Sequence, residues 1–383
     1  PGAPSYTIWK EGSNYFAKDA NGQLKYSGTN ASQIITNCIA NNVHIKIKQD
    51  FVGNIWITNT IVIPSGTKYV TFEGDGNVEA VGVLGGLKLA DGANCDMFAV
   101  EAGCHQIKWI NLGMHGNKDG QTSSCHGIHF SGAASASSDC RIERCSIVAF
   151  ETHCIYVETS LTASWIVDNF LEDSGGNAIE ADGLINSIIE NNILWSCAYG
   201  IRVYSTSYAS QDLVISNNLF SHMTSSAIYL FNSTNNVVDG NWMTDSSKGV
   251  SLQDTYRTVI DSNNIKWMNT EGICINHSQY ITISDNVIIG ASIATDNGYP
   301  GLFIGKTGAG SHYCIISGNI ISSIDCGNQT SFGINEEAGS DNNIFSHCYC
   351  TGSDQQNITI TGTSSYVVNS YNGTAWIDEY SPS

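Results

Sequence analysis

Between Arg141 and Cys350 the chain repeats one phrase nine times: an apolar residue, two polar ones, Asn or Cys, any residue, then another apolar one. The Asn/Cys column is Cys145, Asn169, Asn192, Asn218, Asn241, Asn263, Asn286, Asn319 and Cys348, most often 22–26 residues apart. Three positions earlier stand Ile142, Ile166, Ile189, Ile215, Val238, Ile260, Ile283, Ile316 and Phe345. A period in the low twenties with apolar columns and an amide column is the pattern of stacked coils. It predicts an all-β fold, a single-stranded right-handed parallel β-helix, with apolar columns inside and Asn amides bonding from coil to coil at a turn.

A second repeat falls between the first ones: Gly127-Ile-His-Phe, Cys154-Ile-Tyr-Val, Ala178-Ile-Glu-Ala, Gly200-Ile-Arg-Val and Ala227-Ile-Tyr-Leu. Alternation of this kind predicts strands with one face inward. Ile155, Val157, Ile179, Ile201 and Val203 then face the core, and the residues between them face solvent. The outward column reads His129, Tyr156, Glu180, Arg202, Tyr229, Ser251, and its neighbour reads Ser131, Glu158, Asp182, Tyr204, Phe231, Gln253. Adjacent strands lie ~4.8 Å apart and residues i and i+2 lie roughly 6.5–7 Å apart. Glu158, Glu180 and Asp182 therefore fall in one patch flanked by His129, Arg202 and aromatic rings.

Organisation follows from the same reading. Residues 1–42 are expected to hold a hairpin around Asp19-Ala-Asn-Gly and a capping helix over 29–41, with Ile34, Ile35, Cys38 and Ile39 on one stripe. Residues 43–365 form the β-helix, and 366–383, with Trp376, cover the last coil. Loops are expected at Glu73–Gly86, Gly113–Ser124, Ala291–Pro300 and Asp325–Ser331.

Charge narrows the function classes. Only 13% of residues are charged and the net charge is −19, which argues against nucleic acid and against an anionic membrane surface. A neutral glycan suits this balance better than a polyanion held by basic contacts. No apolar run reaches the ~20 residues of a membrane span. Sequons at Asn30, Asn232, Asn276, Asn328, Asn357 and Asn372, and an opening Pro-Gly-Ala-Pro-Ser without Met, fit a processed extracellular or cell-surface protein. Thirteen cysteines leave disulfides open among Cys95/Cys104, Cys140/Cys145 and Cys314, Cys326, Cys348, Cys350, although Cys145, Cys348 and Cys350 sit in interior columns. No Cys-x-x-Cys pair is present, so no structural metal is expected.

The carboxylates carry the candidate chemistry. Two like charges on adjacent coils push one pKa up, and an acid beside a carboxylate is what glycosidic-bond cleavage uses. The candidate catalytic residues are Glu158, Glu180 and Asp182, with His129, Tyr156, Arg202, Tyr204 and Tyr229 binding sugar. A solvated acidic face explains the same residues without chemistry. Asp239, Asp261 and Asp285 fall in turns that favour Asp for backbone reasons.

The stretch from Val167 to Glu180, VDNFLEDSGGNAIE, resembles the inulin fructotransferases, trimeric right-handed β-helix enzymes. It matches that family's ladder turn followed by Gly-Asn and an apolar-Glu strand, with the intervening loop one residue longer. The resemblance implies Asp168 and Glu180 as a catalytic pair meeting across a subunit interface, a fructan substrate, a cyclic difructose product, a homotrimer and no metal. Two alternatives stand beside it: a Ca²⁺-dependent uronan lyase or epimerase, for which Arg202 is the one available cationic base, and a non-catalytic surface, filament or adhesin solenoid.

Overall fold

The computed structural model describes residues 3–48, 54–75, 86–132, 135–207, 209–296, 298–305, 310–323, 330–353 and 356–380. The chain is a right-handed parallel β-helix, almost entirely β, with a single α-helix among the described residues. It divides into two compact units, residues 1–197 and 198–383.

In the 1–197 unit the entry is a three-stranded antiparallel meander, Tyr6–Glu11, Asn14–Asp19 and Leu24–Gly28, one strand more than a hairpin. The Asp19-Ala-Asn-Gly turn closes the second pair, with Gly22 at φ +79° and an Asp19 Oδ1 bond to the Gln23 amide. The first strand also pairs in parallel with Val43–Ile47 and so joins the cap to the coils. The helix runs Ala31–Asn37 behind the Asn30 N-cap, whose side chain accepts from the Gln33 amide. Ile34, Ile35 and Cys38 are buried, while Ile39 is only half-buried.

Each regular coil runs through a front strand, a short strand, a back strand, a tight corner and a third strand. One coil is Ile155–Val157, Leu161–Thr162, Trp165–Val167 and Phe170–Glu172. The front strands of this unit are Ile61–Ile63, Phe98–Val100, Ile128–Phe130, Ile155–Val157 and Ile179–Ala181, all parallel and in register. Gly113–Ser124, expected as a loop, contains the paired strand Gly113–His115 and a short 3₁₀ turn, Lys118–Gly120. Glu73 ends a strand, and the Gly-rich stretch after it lies mostly outside the described residues.

The amide ladder forms as its spacing demands. Asn169 Nδ2 donates to Asn192 Oδ1 at 2.9 Å and to the Ile142 carbonyl, and the Cys145 amide donates to Asn169 Oδ1. In the 198–383 unit the ladder runs Asn218, Asn241, Asn263, Asn286 and Asn319, each Nδ2 donating to the next Oδ1 at 2.9–3.0 Å. These amides are almost fully buried, so each satisfies turn groups that water cannot reach. The corner residue before each ladder position adopts positive φ, including Asp168 (58°), Asn191 (56°) and Asp285 (53°).

The front strands of the 198–383 unit are Ile201–Tyr204, Ser226–Phe231, Lys248–Gln253, Ile273–Asn276, Leu302–Gly305, Phe332–Glu336 and Gln356–Ile360. It ends in an antiparallel pair, Tyr366–Tyr371 and Trp376–Tyr380, whose first strand extends the coils. Trp376 does not pack inward: it is 65% exposed and touches the Tyr371 ring. The twelve described cysteines are all free thiols, eleven of them buried, so they act as small apolar residues in the core. Cys326, Asn328 and most of the Asp325–Ser331 loop lie outside the described residues.

Candidate active site

The front sheet of the 1–197 unit places three outward columns side by side. The register Ile128↔Ile155↔Ile179 puts His129, Tyr156 and Glu180 at one level. Two residues further on stand Ser131, Glu158 and Asp182. Three residues before the first column stand His126, His153 and Asn177, and pairing of Phe98 with Ile128 adds Asp96 to that column.

Asp96 is the hinge of the cluster. Its Oδ1 accepts the His126 backbone N–H at 2.8 Å, and its Oδ2 lies 2.8 Å from His129 Nδ1. His129 Nε2 in turn lies 3.1 Å from Glu158 Oε2. Burial opposes a charge on His129, but the hydrogen bond to Asp96 and the two carboxylates outweigh it and hold the imidazole above its usual pKa. Burial likewise opposes the Asp96 charge, and the His129 bond outweighs it, so Asp96 is held low. His126 is pushed down to about 4 by burial and is neutral.

Tyr156 lies over this array. Its ring sits 4.8 Å from His129 at an interplanar angle of 26°, 4.7 Å from His126 and 5.3 Å from His153. His126 and His153 stack at 5.1 Å. His153 Nδ1 accepts the Asn177 backbone N–H at 2.9 Å, which puts a neutral ring's proton on Nε2. Gly176 makes this approach possible, since a Cβ there would stand 2.6 Å from the Thr152 carbonyl and 2.9 Å from the His153 ring.

The solvent-facing assignment needs correction for two carboxylates. Glu180 is 3% exposed and Asp182 7%, because outward side chains of adjacent columns close over each other. Asn177 Nδ2 hydrogen-bonds Glu180. Glu158 remains open, its side chain 52% exposed. The chain thus leads from a partly covered aspartate through a covered imidazole to an exposed glutamate. Asp168 is also exposed but stands at the corner between Trp165–Val167 and Phe170–Glu172, away from the front strand of Glu180. Its left-handed backbone matches that of Asn191 one coil on, a conformation Asp and Asn tolerate best. Within one chain the structure does not bring Asp168 and Glu180 together.

The remaining expected residues, Arg202, Tyr204 and Tyr229, lie in the 198–383 unit. The Arg202 guanidinium lies 4.6 Å from the Tyr204 ring centre and 5.4 Å from that of Tyr199. Tyr229 packs 5.8 Å from Tyr199 and donates its hydroxyl to Gln253 at 3.1 Å. These aromatics and Phe231 are half-buried, not an open patch.

One group among the described residues has metal-binding composition: Asp96, His126 and His129 offer ligand atoms within 4.8 Å of one another. Such a donor set suits a zinc-like ion. In this geometry, however, both nitrogens of His129 already meet carboxylates, so the hydrogen-bonded relay accounts for two of the three residues.

Sequence reading missed Asp96, His126, His153 and Asn177. For His126, His153 and Asn177 a signal was present, since each stands one place before the small residue that opens the repeat (Gly127, Cys154, Ala178); Asp96, followed by Met97, shares only the offset from the apolar Phe98.

Residues 114–257 match the family model for a right handed beta helix region. No curated protein is similar in sequence. Solved structures share the fold. The A-module of Azotobacter vinelandii mannuronan C-5 epimerase AlgE4 is 18% identical, with 88% of this chain and 95% of that chain covered and a TM-score of 0.67. The periplasmic alginate epimerase AlgG is 12% identical over 86% and 77%, TM-score 0.56. The Dettilon tailspike protein is 15% identical over 88% and 64%, TM-score 0.56. At these identities the likeness is one of fold, and the residues of the front sheet are this chain's own.

Proposed function

We propose that this chain is a polysaccharide-acting enzyme whose chemistry is proton transfer on the front sheet of the 1–197 unit. The observation that carries this reading is the chain Asp96–His129–Glu158 beneath Tyr156. Asp96 fixes the imidazole through Nδ1, and the same ring's Nε2 meets Glu158 Oε2, which orients a carboxyl group that faces solvent. Glu158 accepts a proton from the attacking hydroxyl, of water or of the sugar itself. Asp182, one coil on at the matching position, is the second carboxyl group that acid–base cleavage of a glycosidic bond requires. Tyr156 supports a sugar ring. Glu180 is a positioning residue, held by Asn177 beneath the surface.

A second reading, abstraction of a ring proton from a uronic acid, is favoured by the phenol of Tyr156 lying on the His129 imidazole, which gives two neighbouring proton carriers. The fold shared with proteins described as mannuronan C-5 epimerases is compatible with it. The fructan reading needs Asp168 of one subunit beside Glu180 of another, and no feature of the front-sheet cluster favours it over other glycans. A polymeric substrate and the sequons support an extracellular location, and no described helix is long and apolar enough to cross a membrane.

The test is product analysis after incubation with inulin, levan, pectate, alginate and neutral glucans, in H₂O and in D₂O. Shortened chains without ultraviolet absorbance support hydrolysis or transfer. Unsaturated products, or deuterium in an uncut chain, select the uronate reading. No change in any glycan contradicts both.

A further inference from the structure

In the 198–383 unit a second corner column stands out by its residue types. Gln211, Thr234, Tyr256, Gln279, His312 and Asp341 pair from coil to coil, and the residue after each adopts positive φ: Asp212 (56°), Asn235 (56°), Arg257 (50°), Tyr280 (59°), Tyr313 (57°) and Asn342 (60°). Asp and Asn are the residues that tolerate this conformation. Three consecutive coils instead place Arg, Tyr and Tyr there, against the local preference.

The side chains form a platform. Tyr280 and Tyr313 stack at 5.3 Å with an angle of 11°, and they are 51% and 49% exposed. Tyr256 is 38% exposed. Tyr256, Arg257 and Tyr280 line a groove of about 530 Å³ whose other wall is polar, including Ser205, Gln211 and Asn232. Arg257 has no ion-pair partner among the described residues, in a chain of net charge −19. An unpaired guanidinium beside exposed tyrosines and a row of hydroxyl and amide groups matches a sugar chain bearing carboxylates: rings stack on tyrosine, hydroxyls meet Ser, Asn and Gln, and the carboxylate meets arginine.

We propose that this corner is a polysaccharide-binding site for an acidic glycan, with Tyr280 backed by Tyr313 as the stacking platform and Arg257 as the carboxylate anchor. It goes beyond the chemistry assigned to the 1–197 unit and does not depend on it. Coils rise ~4.8 Å each, close to the length of one pyranose residue, so a sugar chain lying along the stack meets one corner residue per unit.

Arg257→Asn and Tyr280→Asn are suited to the test because Asn already occupies this corner at Asn235 and Asn342. Both variants are expected to melt at or above the wild-type temperature. Binding of polygalacturonate and of alginate, read by affinity electrophoresis and calorimetry, is expected to weaken about tenfold or more in each. The salt dependence of binding should shrink in Arg257→Asn, and neutral dextran should bind weakly throughout. Unchanged affinity in both variants, no binding of either acidic glycan by the wild type, or dextran binding as strong as theirs would overturn the proposal. A Glu158→Gln control separates the two assignments, since it is expected to slow turnover by about 10²-fold or more and leave this binding unchanged.

Discussion

His129 Nδ1 lies 2.8 Å from Asp96 Oδ2 across 33 residues of sequence. Strand pairing of Phe98 with Ile128 creates this contact, so its geometry is as fixed as the sheet itself. Asp96→Asn keeps the shape and removes the charge that stabilises the imidazolium. Turnover is expected to fall by about 10²-fold, and the basic limb of the pH–rate profile should move to lower pH. A profile that only scales down, without moving, would assign Asp96 a structural role.

Stability should carry the same signature. The groups facing His129 are Asp96, Glu158, His126 and Tyr156. The raised His129 contributes stability that is complete below its ordinary value of 6.5 and is lost as pH rises through its folded value. The lowered Asp96 contributes stability that is complete above 3.8 and is lost as pH falls through its folded value. The pair is therefore most stabilising between these two ordinary values. Thermal unfolding against pH should show a decline above 6.5 in the wild type that His129→Gln removes.

The ladder makes a sharper structural prediction. Asn241 accepts from the Asn218 amide and side chain and donates to Ile215 O and Asn263 Oδ1. Asn241→Leu fits the space but strands these groups, and is expected to lower stability by about 3 kcal/mol. Denaturant unfolding at constant m-value is the measurement.

That ladder was legible in the sequence because a buried amide column recurs at a fixed offset from apolar columns. The front-strand direction was legible for the same reason: Ile155, Val157 and Ile179 are inside and Tyr156 and Glu180 face outward. Covering was not legible. Alternation gives the side of a sheet on which Glu180 stands, yet Asn177, three residues earlier, buries it from that side. Asp96 was hidden because its coil precedes the regular repeat. Asp168 stands at a left-handed corner, which gives it a conformational role within the chain beside the role across an interface that the resemblance implies.

The resemblance to the fructotransferases implies a homotrimer, and the front-sheet aromatics Tyr156, Tyr204, Tyr229 and Phe231 are half-buried. A more exposed apolar stripe runs through Ile315, Ile344 and Tyr366, paired coil to coil and 43–46% exposed, beside Ile320 and Tyr349. Contiguous surfaces of this kind mark contacts between molecules. Light scattering of the wild type is expected to give an oligomer, a trimer in the fructotransferase-like case, and Ile344→Glu a folded monomer. A wild-type monomer would contradict this.

Glu158 is the exposed end of the relay and the group through which the proposed proton transfer reaches a substrate. The deciding measurement is the initial rate on the responsive polysaccharide for the wild type, Glu158→Gln and Asp285→Asn, a corner carboxylate remote from the front strands. Glu158→Gln keeps size and hydrogen bonding, loses the proton-transfer group, and should be slower by about 10²–10⁴-fold, while Asp285→Asn retains full rate. Equal rates for all three would contradict the assignment of catalysis to this face.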